Sequence, residues 1–131
     1  MTVVSASALP ILVIEDEPSV LSFVKTALER TGYSVVAAHS GVDALKLLEA
    51  GKFSGIVSDM RTPGGIEGSD VHDWLAAHRP ELLPRLIFIT GDIVNEETAA
   101  TLRRTGAPCV EKPFRISQLL DVVRKVLGTP Q

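Results

Sequence analysis

The sequence predicts an α/β fold in which five parallel strands alternate with five helices. Short runs rich in Val and Ile, the pattern of buried strands, occur at 11–15, 34–38, 55–58, 85–89 and 107–111. Segments with apolar residues at helical spacing separate these runs. Because crossovers between parallel strands are right-handed, the alternation predicts one parallel sheet that is covered by helices on both faces.

The predicted helices are bounded by residues that start and stop helices. Proline in a first turn and Ser or Asn caps mark their beginnings, and Gly or Pro marks their ends. The fourth helix is the least amphipathic, because only Val94, Ala99 and Leu102 are clear apolar positions. The five helices are expected between Pro18 and Gly32, between Ser40 and Gly51, around Val71 to Pro80, from Asn95 onward, and between Ile116 and Gly128.

Length and composition predict one domain and exclude several functions. The chain has 131 residues, which we divide into a flexible tail at 1–9, one domain at 10–128 and a tail at 129–131. A net charge of −3 and a pI of about 5.6 give no electrostatic case for binding nucleic acid or an anionic membrane. A single cysteine, and the lack of a secretory signal or an apolar segment long enough to span a membrane, predict a cytoplasmic protein.

Polar side chains follow four of the five predicted strands. Glu15 and Asp16 follow the first strand, Asp59 the third, Thr90 the fourth and Lys112 the fifth. In an open parallel sheet, ligands bind beyond the carboxyl ends of the strands. We therefore expect these side chains to meet at one edge, although any one carboxylate at a strand end could equally be a helix cap or turn former.

The expected cluster suggests a metal site and a phosphoryl reaction. Carboxylates packed together repel one another unless a cation is present, and Mg²⁺ suits one or two carboxylates, a carbonyl and waters. A hydroxyl at Thr90 and an ammonium at Lys112 suit the oxygens of a phosphoryl group. The inferred reaction is attack by the Asp59 carboxylate on phosphorus, which gives a labile acyl phosphate of the kind that suits signalling.

Four motifs, taken in order, resemble the receiver domains of two-component response regulators. They are ILVIEDEP, IVSDM, FITGD and VEKPF, and the resemblance covers about residues 10–128. It implies a flavodoxin-like (βα)5 fold, doubly wound, with strand order 2-1-3-4-5. It also implies that Asp59 is the phosphoacceptor, that Thr90 is a switch hydroxyl, and that the Lys112–Pro113 peptide is cis.

The same resemblance implies a metal-ligand set and partners. Asp16 and Asp59 would bind Mg²⁺, or Mn²⁺ in its place, together with the backbone carbonyl of Arg61, and Glu15 would act mostly through water. The phosphodonor would be a histidine kinase or a histidine phosphotransfer protein. Phosphoryl binding would draw Thr90 toward Asp59 and switch a partner surface on helix 4, strand 5 and helix 5. Such a domain is a signalling receiver that catalyses only its own phosphorylation and dephosphorylation.

The chain departs from the family pattern at three places. Cys109 stands where family members often have a Tyr or Phe that rotates on activation, and we expect it to act as a small buried hydrophobe. The loop after Asp59 is one residue longer than usual, and Gly64 and Gly65 permit unusual backbone angles there. Arg61 and Asp92 could pair across the site and slow hydrolysis, or they could be two solvated charges.

The sequence leaves two other functions open, and two kinds of protein could contain the domain. A phosphate-independent interaction module is the main alternative, and an aspartyl phosphohydrolase is disfavoured because its usual DxD motif is missing from the first strand. Because few residues follow the last helix, we expect either a free-standing regulator or a receiver taken from a larger protein. The ending VEKPFRISQLLDVVRKVL is similar to receivers that terminate hybrid histidine kinases.

Overall fold

The structure is a computed structural model that describes residues 9–62, 64–91 and 93–130. The expected tail at 1–9 therefore lies outside the described residues except for Leu9. In chain order the elements are β1 (Ile11–Ile14), α1 (Pro18–Thr31), β2 (Val35–Ala38), α2 (Gly41–Ala50), β3 (Gly55–Asp59), α3 (Gly68–His78), a 3-10 helix (Pro80–Arg85), β4 (Leu86–Thr90), α4 (Glu96–Thr105), β5 (Cys109–Glu111) and α5 (Ile116–Leu127).

These strands form a five-stranded parallel sheet in the order β2-β1-β3-β4-β5. The predicted fold class and strand order are confirmed. Strands β1, β3 and β4 are buried along their whole length, as expected for central strands with helices on both faces. Their carboxyl ends lie at one edge of the sheet, which is where the polar residues of interest follow.

The core lies on both faces of this sheet, because successive side chains of a strand point to opposite sides. Ile11 and Val13 of β1 pack with apolar residues of α1 and α5, whereas Leu12 and Ile14 pack with those of α2 and α3. Burying one such side chain contributes about 1.5–3 kcal/mol. The framework that carries the polar edge is therefore fixed by two apolar layers.

The end of helix α1 shows how local sequence sets an element boundary. Pro18 occupies the first turn, where a missing backbone N–H costs little. Gly32 ends the helix with φ 112°, a left-handed conformation that favours glycine, and its N–H is bonded to the Glu29 and Leu28 carbonyls.

Among the described residues, no helix has both the length and the apolar character that a membrane crossing requires.

Predicted and observed elements differ in three details. Strand ends differ by one or two residues, and β5 begins at Cys109 rather than at residue 107. The 3-10 helix was not predicted, because so short an element has no repeating apolar pattern. Val94 was wrongly placed on the apolar face of the fourth helix: it precedes the Asn95 cap and is 89% exposed, while Thr98 supplies the buried position.

Candidate functional site at the carboxyl edge of the sheet

The sheet register brings the predicted polar residues to one edge. Two of these residues are the last residues of strands: β3 ends at Asp59 and β4 ends at Thr90. Lys112 follows β5, and its backbone N–H donates to the Thr90 carbonyl at 2.7 Å. Glu15 continues directly from β1, with its N–H bonded to the Ala38 carbonyl of β2. Residues 97 positions apart therefore meet.

Three carboxylates form the centre of the site. One oxygen each from Glu15, Asp16 and Asp59 lies within 4.8 Å of the other two. Glu15 and Asp59 are buried, with 2% and 8% of their surface exposed, whereas Asp16 is exposed. The cluster is therefore accessible from solvent on one side, and its donor set is the all-oxygen set that a hard divalent cation such as Mg²⁺ accepts.

Lys112 lies against two of these acids. Its Nζ is 3.1 Å from Oε2 of Glu15 and 3.4 Å from Oδ2 of Asp59. Burial disfavours the ammonium, but the charges of Asp59 and Glu15 outweigh it, so the pKa of Lys112 is raised above its ordinary value. The lysine therefore stays protonated and compensates part of the negative charge of the cluster.

Glu15 is the most constrained of the three acids. Burial raises its pKa, the Asp59 charge adds to this effect, and the Glu17 amide and Lys112 act in the opposite direction. Its Oε1 accepts from the Glu17 N–H at 3.1 Å, and its Oε2 accepts from Lys112. Both oxygens of Glu15 are thus engaged, while the contacts of Asp59 with other described residues, Lys112 and the Arg61 N–H, are long at 3.4 Å.

The loop after Asp59 depends on a glycine that the sequence analysis did not single out. A Cβ on Gly68 would lie 2.8 Å from a Phe88 ring carbon and 3.1 Å from the Asp59 carbonyl oxygen. The Gly68 N–H donates to the Met60 carbonyl at 2.9 Å, which turns the chain back against β3. The only sequence signal was the glycine itself, at the start of α3. The expected unusual angles at Gly64 and Gly65 are confirmed, with φ of 92° and 82°.

Arg61 does not reach into the carboxylate cluster with its side chain. Its guanidinium donates to Asn95 Oδ1 at 3.0 Å and lies 3.4 Å from Oε2 of Glu97. The expected partner Asp92 lies outside the described residues, so the Arg61–Asp92 pair stays a prediction. The Asn95 and Glu97 contacts were missed, because sequence spacing gives no indication of where a long surface side chain is directed.

Cys109 and Thr90 are placed by neighbouring strands. Thr90 is 3% exposed at the end of β4. Cys109 begins β5, is half-buried, and packs against the core layer beneath α2 and α3. Burial, with a smaller contribution from Glu111, raises the pKa of the Cys109 thiol to about 11, so the thiol is neutral at physiological pH. The Lys112–Pro113 peptide is cis, as expected.

An apolar groove opens beside Lys112. It has a volume of about 590 Å³ and lies between α1 and the loop that follows β5. Phe23 and Phe114 contribute rings whose centroids are 6.0 Å apart, and Phe23 is 42% exposed. The carboxylate cluster thus has an apolar surface next to its lysine.

Fold and site together define a flavodoxin-like α/β domain with an acidic carboxyl edge. Residues 11–124 match the family model described as the response regulator receiver domain, and the chain belongs to that family. The resemblance seen in the four motifs is confirmed, and with it a role in two-component signal transduction.

Known proteins similar to this chain carry the same domain. It is 32% identical over 117 residues to the response regulator MprA of Mycobacterium avium, which covers 89% of this chain and 50% of that protein. The chain thus spans about half the length of the curated relatives it matches. A receiver domain of a signal transduction histidine kinase from Syntrophus aciditrophicus is 27% identical with a TM-score of 0.82, covering 92% of this chain and 91% of the other. The response regulator TrrA from Thermotoga maritima, in complex with Mg²⁺ and BeF, is 26% identical with a TM-score of 0.79, covering 91% of this chain and 99% of the other.

Proposed function

We propose that Asp59 is the phosphoacceptor of this receiver domain and that its chemistry depends on a divalent cation. The observation that carries the proposal is the convergence of three carboxylates within 4.8 Å, with the Lys112 ammonium 3.4 Å from Asp59. No ordinary structural role requires like charges to converge in this way, since their repulsion costs free energy in the folded state. A site for a cation and an anionic substrate accounts for both the acids and the lysine.

Asp16, Asp59 and the carbonyl of Arg61 would hold Mg²⁺, or Mn²⁺ in its place. Both Glu15 oxygens already accept hydrogen bonds, which favours a role for Glu15 through bound water. The cation would neutralise charge between the carboxylates and the incoming phosphoryl oxygens. This assignment agrees with the Mg²⁺ and BeF that accompany the similar Thermotoga maritima protein.

The protein residues have distinct tasks in the proposed transfer. An oxygen of the Asp59 carboxylate attacks phosphorus, the P–O bond forms, and the P–N bond to the donor imidazole breaks with its electron pair leaving on nitrogen. Lys112 donates to one phosphoryl oxygen, and the Thr90 hydroxyl donates to another. Later attack by water on phosphorus returns the Asp59 carboxylate and releases phosphate.

The partners follow from this chemistry. The donor would be a phosphohistidine on a histidine kinase or a phosphotransfer protein, and the apolar groove beside Lys112 offers such a protein a surface next to the nucleophile. The output would pass through the face formed by α4, β5 and α5. Thr90 would act as the switch hydroxyl, and Cys109, which has no aromatic ring to rotate, would serve only as a packing residue of that switch. The chain would catalyse no reaction other than its own phosphorylation and dephosphorylation.

The test is phosphorylation by acetyl phosphate, followed by Phos-tag gel mobility and intact mass. With Mg²⁺ we expect the parent protein to gain a labile mass of one phosphoryl group, and we expect none with EDTA. Asp59→Ala removes the nucleophile and should not react. Asp121→Ala, which removes an exposed acid of α5, is the matched control and should react like the parent. A parent that never shifts, or an Asp59→Ala variant that shifts as the parent does, would contradict the proposal.

A further inference from the structure

Arg61 connects the carboxylate site with the beginning of helix α4. Its backbone N–H is 3.4 Å from Oδ1 of Asp59, so the main chain at this residue lies against the proposed nucleophile. Its guanidinium extends to the other side, where Nη2 donates to Asn95 Oδ1 at 3.0 Å and lies 3.4 Å from Glu97 Oε2. One residue thus touches both the site and the element that follows the β4–α4 loop.

The atom that Arg61 contacts is the cap of α4. Asn95 Oδ1 also accepts from the backbone N–H groups of Glu97 at 3.0 Å and Thr98 at 3.1 Å. These donors have no partner within the helix, so the Asn95 side chain determines how the first turn is held. The hydrogen bond from Arg61 to the same oxygen helps to hold the Asn95 side chain in the orientation in which it caps the helix.

Within the described residues, helix α4 buries little of its N-terminal part against the core. Thr98 is its only fully buried residue among those described, and Leu102 is partly buried against the core. At the far end, Arg104 binds Asp73 of α3 at 2.9 Å. Among the described contacts, polar ones lie at both ends of the helix, and one of those at the N-terminal end comes from Arg61, next to the proposed site.

We infer that Arg61 is a positioning residue that exchanges between α4 and a phosphoryl group on Asp59, and so couples phosphorylation to the cap of α4. The inference rests on the proposed function. Glu97 is 76% exposed, and an exposed pair of this kind is weak. A phosphoryl group brings close to two negative charges and several acceptor oxygens, and arginine binds it with two parallel hydrogen bonds. The guanidinium therefore leaves the weaker anion for the stronger one, and the α4 cap loses a contact.

The test is NMR of the full chain with beryllofluoride as the phosphoryl mimic. The readouts are the amide shifts and solvent-exchange rates of Glu97 and Thr98, compared without ligand, with Mg²⁺ alone, and with Mg²⁺ and beryllofluoride. In the parent protein, beryllofluoride should raise both exchange rates about two- to fivefold, the range that an exposed charged pair supports. Mg²⁺ alone brings no anion and should leave these rates unchanged.

Three variants decide between this inference and a purely structural role. Arg61→Ala should show raised exchange at Glu97 and Thr98 before any ligand is added, and beryllofluoride should change it by less than about 1.5-fold. Arg61→Lys keeps the charge but loses the planar fork, so its response should be intermediate. Arg104→Ala breaks the contact at the other end of α4 and should keep the parent's response.

The outcomes separate this inference from the proposed function. If beryllofluoride shifts no amide at Glu15, Asp59 or Lys112 in the parent protein, the proposed function fails and the inference fails with it. If those amides shift but Arg61→Ala responds at Thr98 as the parent does, only the inference is overturned. A full response to Mg²⁺ alone also overturns it, because no anion would then be needed to move the guanidinium.

Discussion

Replacing Lys112 by Met tests whether one ammonium stabilises the carboxylate cluster in the folded protein. Its Nζ is 3.1 Å from Glu15 and 3.4 Å from Asp59, and at an effective dielectric constant of 20 each contact corresponds to a gross attraction of about 5 kcal/mol. The cost of burying the ammonium offsets much of this attraction. Removing one partner of a buried pair costs about 3–5 kcal/mol, and exposed pairs contribute about 1 kcal/mol or less. Because the Lys112 side chain is 25% exposed, we expect a loss between these limits, about 2–3 kcal/mol.

The assay is urea and thermal unfolding in EDTA and then in Mg²⁺. In EDTA, Lys112→Met should lower the midpoint temperature by roughly 8–12 °C for a chain of this length. Mg²⁺ should narrow the difference in midpoint temperature between Lys112→Met and the parent, because a bound cation compensates the acids that the lysine no longer neutralises. Lys25→Met is the matched control: its partner Glu29 is 3.8 Å away and both side chains are more than 40% exposed, so it should cost less than about 0.5 kcal/mol. A loss below 0.5 kcal/mol for Lys112→Met, or an equal loss with and without Mg²⁺, would refute the reasoning.

Three further outcomes follow from individual contacts. Gly68→Ala should destabilise the protein by about 1–3 kcal/mol and slow phosphorylation, because the added Cβ meets backbone and ring atoms. The control Gly91→Ala, where a Cβ has open space, should stay within about 0.5 kcal/mol of the parent, and equal urea midpoints for the two variants would contradict the prediction. The Cys109 thiol, with its pKa raised to about 11, should be alkylated by iodoacetamide at pH 7.5 about a hundredfold more slowly than a thiol of pKa 9.0, and reaction at the rate of free cysteine would contradict the assignment. A hydrogen bond from His72 is the main cause that lowers the pKa of Asp73. The ionised Asp73 therefore stabilises the folded protein above pH 3.8, and this stabilisation is lost as the pH falls through the pKa of Asp73 in the folded state. In an NMR titration, His72→Ala should move the pKa of Asp73 back toward 3.8, and an unchanged pKa would show that His72 is not the cause.

The strand-end residues could be predicted because two regularities act together. Buried parallel strands show up as apolar runs, and the sheet places their carboxyl ends at one edge whatever the loops between them do. Glu15, Asp59 and Lys112 could therefore be expected together from position alone. In the structure the Lys112 ammonium lies within 3.4 Å of both carboxylates. That part of the site depends on backbone topology, which the apolar pattern largely determines.

The contacts that were missed depend on side-chain direction and on close packing. Arg61 has a long, flexible side chain, and its turn toward Asn95 depends on where the α4 cap lies in space. Gly68 has no chemical signature, and its importance appears only when the distance from its backbone to Phe88 is known. The 3-10 helix was missed because six residues are too few to show a periodic apolar pattern. Val94 was misplaced because an apolar residue just before the Asn95 cap looks like part of the helix pattern in the sequence.

The charge balance at the sheet edge sets an order of events for the proposed reaction. Glu15, Asp16 and Asp59 bring three negative charges, if all are ionised, and Lys112 returns one positive charge, so the edge attracts a cation and repels an anion. In the proposed reaction, a phosphoryl donor would therefore meet a favourable potential only with a divalent cation bound by Asp16, Asp59 and the Arg61 carbonyl. Once a phosphoryl group is attached to Asp59, its negative charge would lie beside Lys112 and beside the main chain of Arg61, whose guanidinium bonds to the α4 cap. If the Lys112 side chain moved away, Glu15 would face the uncompensated negative charge of Asp59. If the Arg61 guanidinium moved away, it would lose its contacts with Asn95 and Glu97 at the solvent-exposed cap of α4. Of the two cations, Arg61 is thus the one whose movement can report phosphorylation to the rest of the protein.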